Sequence, residues 1–149
     1  MKKLIVAIFI VSLFLPAICL AADAGVINHV MAAKIEYVQG KGHVVVGPVN
    51  MQFMVPAGSV GAKHKFTTLD QLLFMKGGTF KVEQKIVEDA TGQVVSAANR
   101  DSFTVKNSQT ILPFVTDWDF GAKVGVYTYQ IVANNEVIAA YKISIIAAQ

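Results

Sequence analysis

The chain has 149 residues, 13 basic and 10 acidic side chains, one cysteine and a 54% hydrophobic composition. That length holds one domain with a real core and is short for two. The near-balanced charge, with no run of Lys or Arg, excludes an electrostatic footprint for nucleic acid or for an anionic membrane surface. The lone cysteine excludes a disulfide within the chain.

Met1-Lys2-Lys3 is a short basic start, and Leu4 to Leu15 is an apolar run interrupted only by Ser12. Pro16 breaks the run, and Cys19 and Ala21 supply small residues three and one before a cut. This order predicts a secretory signal peptide over residues 1–21, cleaved between Ala21 and Ala22. Two alternatives fit less well. An acylated Cys19 wants a small residue before it, and Ile18 is large. An uncleaved anchor would have to span the bilayer with Pro16 inside it. Cleavage removes Lys2, Lys3 and Cys19, leaving 11 basic against 10 acidic side chains in residues 22–149. The expected product is a periplasmic or secreted domain with no thiolate for catalysis or metal binding.

From residue 25 onward, short segments rich in Val, Ile, Phe and Tyr alternate with Gly, Asn and Pro, which predicts an all-β domain. Gly25–Gln39 is ambiguous: Val26, Ile27, Val30, Met31, Lys34, Ile35 and Val38 fit a helical face with Lys34 as its one polar intruder, while Lys34–Val38 alternates as a strand. Gly40-Lys41-Gly42 reads as a turn. His43–Val46 and Val49–Val55 read as a strand, or a bent pair, around Gly47-Pro48.

Pro56 to Ala62 is the longest loop-like stretch. The apolar run Leu69–Met75 suits a buried strand or a short helical turn. Phe80, Val82, Gln84 and Ile86 alternate with Lys81, Glu83 and Lys85, the cleanest strand signal in the chain. Gly92 suits the left-handed position closing a hairpin loop. Ser102–Lys106 is a short strand candidate, and Thr110–Phe120, with Pro113, reads as irregular strand and loop.

The last hairpin fixes its own register. Asn134-Asn135-Glu136 separates Val124–Ala133 from Val137–Ile146. A two-residue turn without irregularity sets Tyr127 against Lys142 and mixes polar with apolar on both faces. Shifting by one sets Tyr127 against Ile143, Tyr129 against Tyr141, Ile131 against Ala139 and Ala133 against Val137, which segregates core from solvent. The register therefore requires a three-residue loop, or an Asn-Asn turn with an adjacent bulge. Glu136 is a poor left-handed residue, which weighs against the loop.

Gly125-Val126-Tyr127-Thr128-Tyr129-Gln130-Ile131, the Asn134-Asn135 turn and Ile138-Ala139-Ala140 resemble the last strands of bacterial immunoglobulin-like modules. The resemblance covers about 25 residues. It implies an immunoglobulin-like antiparallel β-sandwich of about seven strands. The chain departs from the disulfide-bearing pattern, and so general a likeness carries over no functional residue.

Motifs for chemistry are sparse. No serine sits in a nucleophile elbow, and Gly58-Ser59-Val60-Gly61 lacks its strand–turn–helix context. Asp117 and Asp119 around Trp118 could mark a sugar site or an acid/base pair, but fit better as solvated aspartates beside a buried indole. His29, Met31, His43, Met51, Met54 and His64 are ligand types used for copper outside the cytoplasm. Of these, His29 and Met31 would share a strand face, and Met51 and Met54 would not. Zinc spacing and a phosphate loop are missing.

The sequence thus predicts a non-catalytic accessory or binding module of the bacterial envelope, without cofactor or metal. Its partner would be another envelope or secreted protein, met through a loop or a sheet edge. The first candidate surface is the loop from Pro56 to Lys65, with flexible Gly58, Ser59 and Gly61, an apolar tip at Val60, and a basic exit at Lys63, His64 and Lys65. A small-ligand or copper carrier using the Met and His side chains is the alternative.

Overall fold

The computed structural model describes residues 23–49, 52–55, 63–121 and 123–147. The predicted signal segment and its cleavage point lie outside the described residues, as do Met51 and the loop residues Gly58, Ser59, Val60 and Gly61.

The fold is all-β, an immunoglobulin-like sandwich. Its strands are β1 (Ala24–Val38), β2 (Gly42–Val49), β3 (Gln52–Val55), β4 (Lys63–Phe74), β5 (Gly78–Phe80), β6 (Val82–Glu88), β7 (Val94–Asn99), β8 (Phe103–Val105), β9 (Thr110–Gly121), β10 (Gly125–Ala133) and β11 (Glu136–Ala147). One sheet has the order β2-β1-β4-β9, the other β3-β11-β10-β6-β7, and β5 pairs with β8. The number of strands exceeds the expected seven because short pieces such as β3, β5 and β8 pair separately. The pairing is antiparallel except between β3 and β11.

Each sheet turns one apolar face inward. Met31, Phe66, Leu72, Phe74, Phe114 and Trp118 come from the four-stranded sheet. Val82, Ile86, Tyr127, Tyr129, Ile131, Ile143 and Ile145 meet them from the other. Burying such side chains contributes about 1.5–3 kcal/mol each relative to leaving them in water.

β1 is one fifteen-residue strand, which settles the helix-or-strand ambiguity of residues 25–33. The ambiguity has a physical cause. Ile27 is an extra residue between the pairs Val26–Leu72 and Asn28–Gln71. A bulge of this kind reverses side-chain parity. The inward residues are therefore Ala24 and Val26, then His29 and Met31, a spacing that imitates a helical face. A second irregularity opposes Ala33 to the extra residues of β2. There Gly47 has φ +92, and a Cβ on it would lie 3.2 Å from that of Ala33.

The closing hairpin has the expected register from Gly125–Ile145 to Ile131–Ala139. It then shifts, leaving Ile138 as the bulged residue, so that Ala133 pairs with Glu136 and not with the expected Val137, which lies opposite Val132. Asn134 (φ 49) and Asn135 (φ 70) take the two left-handed turn positions. This is the Asn-Asn turn with a bulge, and it spares Glu136 the left-handed backbone.

Two expectations need correction. Thr110–Phe120 is not irregular: β9 pairs with β4 in unbroken register from Thr110 to Gly121. Pro113 fits because β9 is an edge strand, where a missing N–H costs no ladder bond. Leu69–Met75 holds no helical turn: through Phe74 it is the second half of β4, and Met75 lies just beyond the strand.

Candidate functional site

The most concentrated chemistry lies between the sheets. β4 alternates, so His64, Phe66, Thr68, Asp70, Leu72 and Phe74 all point inward. Asp70 is 0% exposed, and Thr68, Gln84 and Tyr129 are equally buried. A buried carboxyl group needs partners, and here it has three.

Tyr129 Oη donates to Asp70 Oδ2 at 2.5 Å. Gln84 Nε2 donates to the same oxygen at 2.6 Å and lies 2.9 Å from Tyr129 Oη. His29 Nδ1 lies 2.5 Å from Asp70 Oδ1. A carboxylate accepts only, so this network assigns the hydrogen to Nδ1.

The network continues away from Asp70. Thr116 Oγ1 donates to Gln84 Oε1 at 2.5 Å, and Arg100 Nη2 donates to Thr116 Oγ1 at 2.8 Å and to the Val115 carbonyl at 2.6 Å. Trp118 Nε1 donates to Thr68 Oγ1 at 3.0 Å, which in turn lies 3.3 Å from Tyr129 Oη. Aromatic rings enclose the cluster. His29 stacks on Tyr141 at 3.9 Å, and Trp118 meets Tyr129 edge-on at 5.7 Å. Burial, then the neighbouring Asp70 carboxyl, holds the Tyr129 phenol far above its ordinary range, so it stays a donor. Two buried atoms, His29 Nε2 and Arg100 Nε, have no hydrogen-bond partner.

The position of this cluster in the fold is informative. Tyr127, near the start of β10, donates its Oη hydrogen to the Lys123 carbonyl and accepts from the Lys123 N–H, both at 3.0 Å. This is a tyrosine corner, which in immunoglobulin domains precedes the second bridging cysteine by two residues. Tyr129 therefore stands at the bridging position. Its polar partners come from β4 and β6, the strands that correspond to the first cysteine and the core tryptophan of that pattern. The polar cluster links the sheets where a disulfide would.

The residues singled out from the sequence disperse. Lys63, His64 and Lys65 belong to β4 and not to a loop. Lys63 and Lys65 are exposed, near Asp119 at 3.9 and 3.7 Å, while His64 is buried. Burial lowers the pKa of His64. Trp118 is buried between two exposed aspartates, as expected. Asp117 accepts from Thr67 Oγ1 at 2.7 Å, and both aspartates line an open groove with Lys34 and Lys65.

His29 and Met31 do share the inward face. The three histidines do not converge. His64 is six residues along β4 from Asp70, the residue opposite His29, or roughly 20 Å. His43 lies opposite Tyr37, eight residues along β1 from His29, or roughly 26 Å. Met54 falls in β3, in the other sheet. Among the described residues, no three His, Cys, Asp or Glu side chains are grouped to hold a metal.

Sequence reasoning missed Asp70 because it sits inside the apolar run Leu69–Met75. The available signal was Gln84, a polar residue at an inward position between Val82 and Ile86.

No protein-family model and no curated protein matches the sequence. Solved structures do resemble the fold. The C-terminal domain of Wzt aligns at TM-score 0.52 and 13% identity, covering 85% of this chain and 75% of that one. The Pseudomonas fluorescens alkylpurine DNA glycosylase AlkC, solved with DNA containing an abasic site analog, aligns at TM-score 0.53 and 8% identity, covering 85% of this chain. This chain spans 31% of the glycosylase's length. An immunoglobulin-like protein of Pseudomonas aeruginosa aligns at TM-score 0.36 and 15% identity, covering 83% of this chain and 97% of that one. At these identities the likeness concerns the fold alone.

Proposed function

We propose that this chain is an exported, non-catalytic accessory module of the bacterial cell envelope that binds another envelope or secreted protein. The observation that carries this reading is the direction of its chemistry. Asp70, Gln84, Thr116 and Tyr129, the groups with the most reactive surroundings, are buried between the sheets and hydrogen-bonded to one another. A reacting centre needs a substrate within hydrogen-bond reach of its acid or base. Here those reaches are filled by neighbours from the opposite sheet. What faces water is strand edge, loop and scattered apolar side chain, the surfaces by which such sandwiches meet partners. The basic, apolar, small order of residues 1–21 supports export.

Residues 56–62 stand in the sequence between β3, in one sheet, and β4, in the other, whose first residues include the exposed Lys63 and Lys65. Shortening residues 57–62 in the exported protein tests it as the contact. The expected result is unchanged unfolding with loss of partner capture; unchanged capture removes the loop and leaves the edges.

The carrier reading draws on one observation. A carboxylate behind an imidazole, with the far nitrogen unpartnered, is how metal-ligating histidines are commonly oriented. His29 has this arrangement, and Met31 shares its face. Copper titration of the mature chain, with and without His29→Ala, separates the two readings.

A further inference from the structure

The outer end of the β1–β2 hairpin extends past the rest of its sheet. Pairing between β1 and β4 stops at Ala32–Thr67. Beyond it, among the described residues, Lys34–Val38 pairs only with Gly42–Val46. This arm is two strands wide, and an isolated two-stranded ribbon is marginal in water; a third strand is what usually stabilises one. Beside the exposed pair Lys34 and Glu36, it presents several apolar side chains to solvent. Tyr37 is 71% exposed, Val46 44%, Val45 38% and Val38 36%.

Among the described residues β2 is the edge of its sheet, with no strand beside one side of its backbone. Two other edges carry features that discourage pairing: β9 holds Pro113 and the exposed Asp117 and Asp119, and β3 has only four residues. The β7 edge is also uncharged, but the strand behind it, β6, is itself paired along its whole length with β10. β2 has no Lys, Arg, Asp or Glu, and its Pro48 lies near its far end, which leaves Gly42–Gly47 free to pair. A charge-free, valine-rich edge is a template for another strand.

The sequence of that edge says which strand. Val44-Val45-Val46 is symmetric about Val45, with the small Gly47 falling opposite His43. Antiparallel pairing of two copies places Val45 against Val45 and Val44 against Val46, with no charge opposed to a like charge. β-Branched cross-strand pairs of this kind are favourable, and a two-fold contact requires this self-complementarity. We infer that the β2 edge is a homodimer contact, in which two copies join their four-stranded sheets across a two-fold axis at Val45. This deepens the module reading, resting on its assignment of a sheet edge as a contact surface, and names a second copy as the occupant of this edge.

The test uses the purified mature chain alone, so it is independent of partner capture. Sedimentation over a concentration series should show a monomer–dimer equilibrium. Val45→Lys should weaken it on the order of tenfold or more while leaving a folded monomer by circular dichroism. Since the mature chain has no cysteine, Val45→Cys should cross-link into a dimer under mild oxidation, and Val94→Cys, exposed on the other sheet, should not. A wild type that stays monomeric throughout overturns the inference, as does equal cross-linking by both variants. If Val45→Lys unfolds, the two cysteine variants decide the question. Partner capture, measured on the same Val45 variants, reports on the module reading separately.

Discussion

Tyr129 and Asp70 meet across the gap between the two sheets, the phenol donating to the carboxyl oxygen at 2.5 Å with both residues fully buried. One lies on β10 and the other on β4, so the bond joins strands that share no ladder. Gln84 on β6 and His29 on β1 complete the junction. A sandwich without a cysteine pair has here a polar link in its place. The link is directional, and so fixes how the sheets face each other as well as that they pack.

Removing one donor from this junction should be costly, because the acceptor stays buried. Tyr129→Phe should destabilise the domain by about 1–3 kcal/mol. Asp70→Ala should cost more, about 3–5 kcal/mol, since it strands three donors, on Tyr129, Gln84 and His29. Urea unfolding of each variant checks the order.

The core assignment of the last hairpin makes a second test. Ile131 is fully buried, and Ile131→Ala should cost about 2–5 kcal/mol. Val126, exposed on the same strand, should change stability by no more than about 0.5 kcal/mol when made Ala. Equal effects would mean that the register is wrong.

A third prediction concerns pH. Burial lowers the pKa of His64, so the unfolded chain takes up the proton before the folded one does. Stability therefore rises with pH in this window: it is complete above the ordinary histidine pKa of about 6.5 and declines as pH falls below it. His64→Leu should flatten the decline between about pH 6.5 and 5. Asp89 acts lower. The Lys142 ammonium and the Thr128 hydroxyl hydrogen-bond its carboxyl and hold it below the usual range, so its contribution fades only under about pH 4. Urea midpoints of wild type and His64→Leu across this range separate the two groups. An unchanged slope in the variant would remove His64 from the explanation.

Export gives a fourth. The exported protein should begin at Ala22 or Asp23, with no lipid attached. Its intact mass reads this directly. Retention of Met1, or a lipid increment on Cys19, would contradict it. Ser59 should also resist a serine-directed fluorophosphonate, because the loop lacks the context of an activated nucleophile.

What could be read in the sequence follows from how locally each feature is determined. The β10–β11 register was legible because Tyr127, Tyr129 and Ile131 alternate cleanly with Thr128 and Gln130, and burial leaves one phase. β1 was illegible because Ile27 breaks its parity, and nothing local distinguishes a bulge from a helical spacing. Thr110–Phe120 looked irregular because Pro113 ordinarily opposes a strand, and edge position is a property of the whole sheet. The buried cluster was hidden for the same reason. Gln84 stood out on an apolar face, but Asp70 looked like an interruption in a greasy run. Their meeting joins residues 14 positions apart with a third, Tyr129, 45 positions beyond Gln84.

A double-mutant cycle between Asp70→Asn and Tyr129→Phe, read by equilibrium urea unfolding, tests most directly whether the buried cluster is the link between the sheets. The predicted result is destabilisation by each single variant and a coupling of about 0.5–3 kcal/mol between them. Wild-type stability in both single variants, with partner capture or copper binding lost, would contradict it and make the cluster a working site.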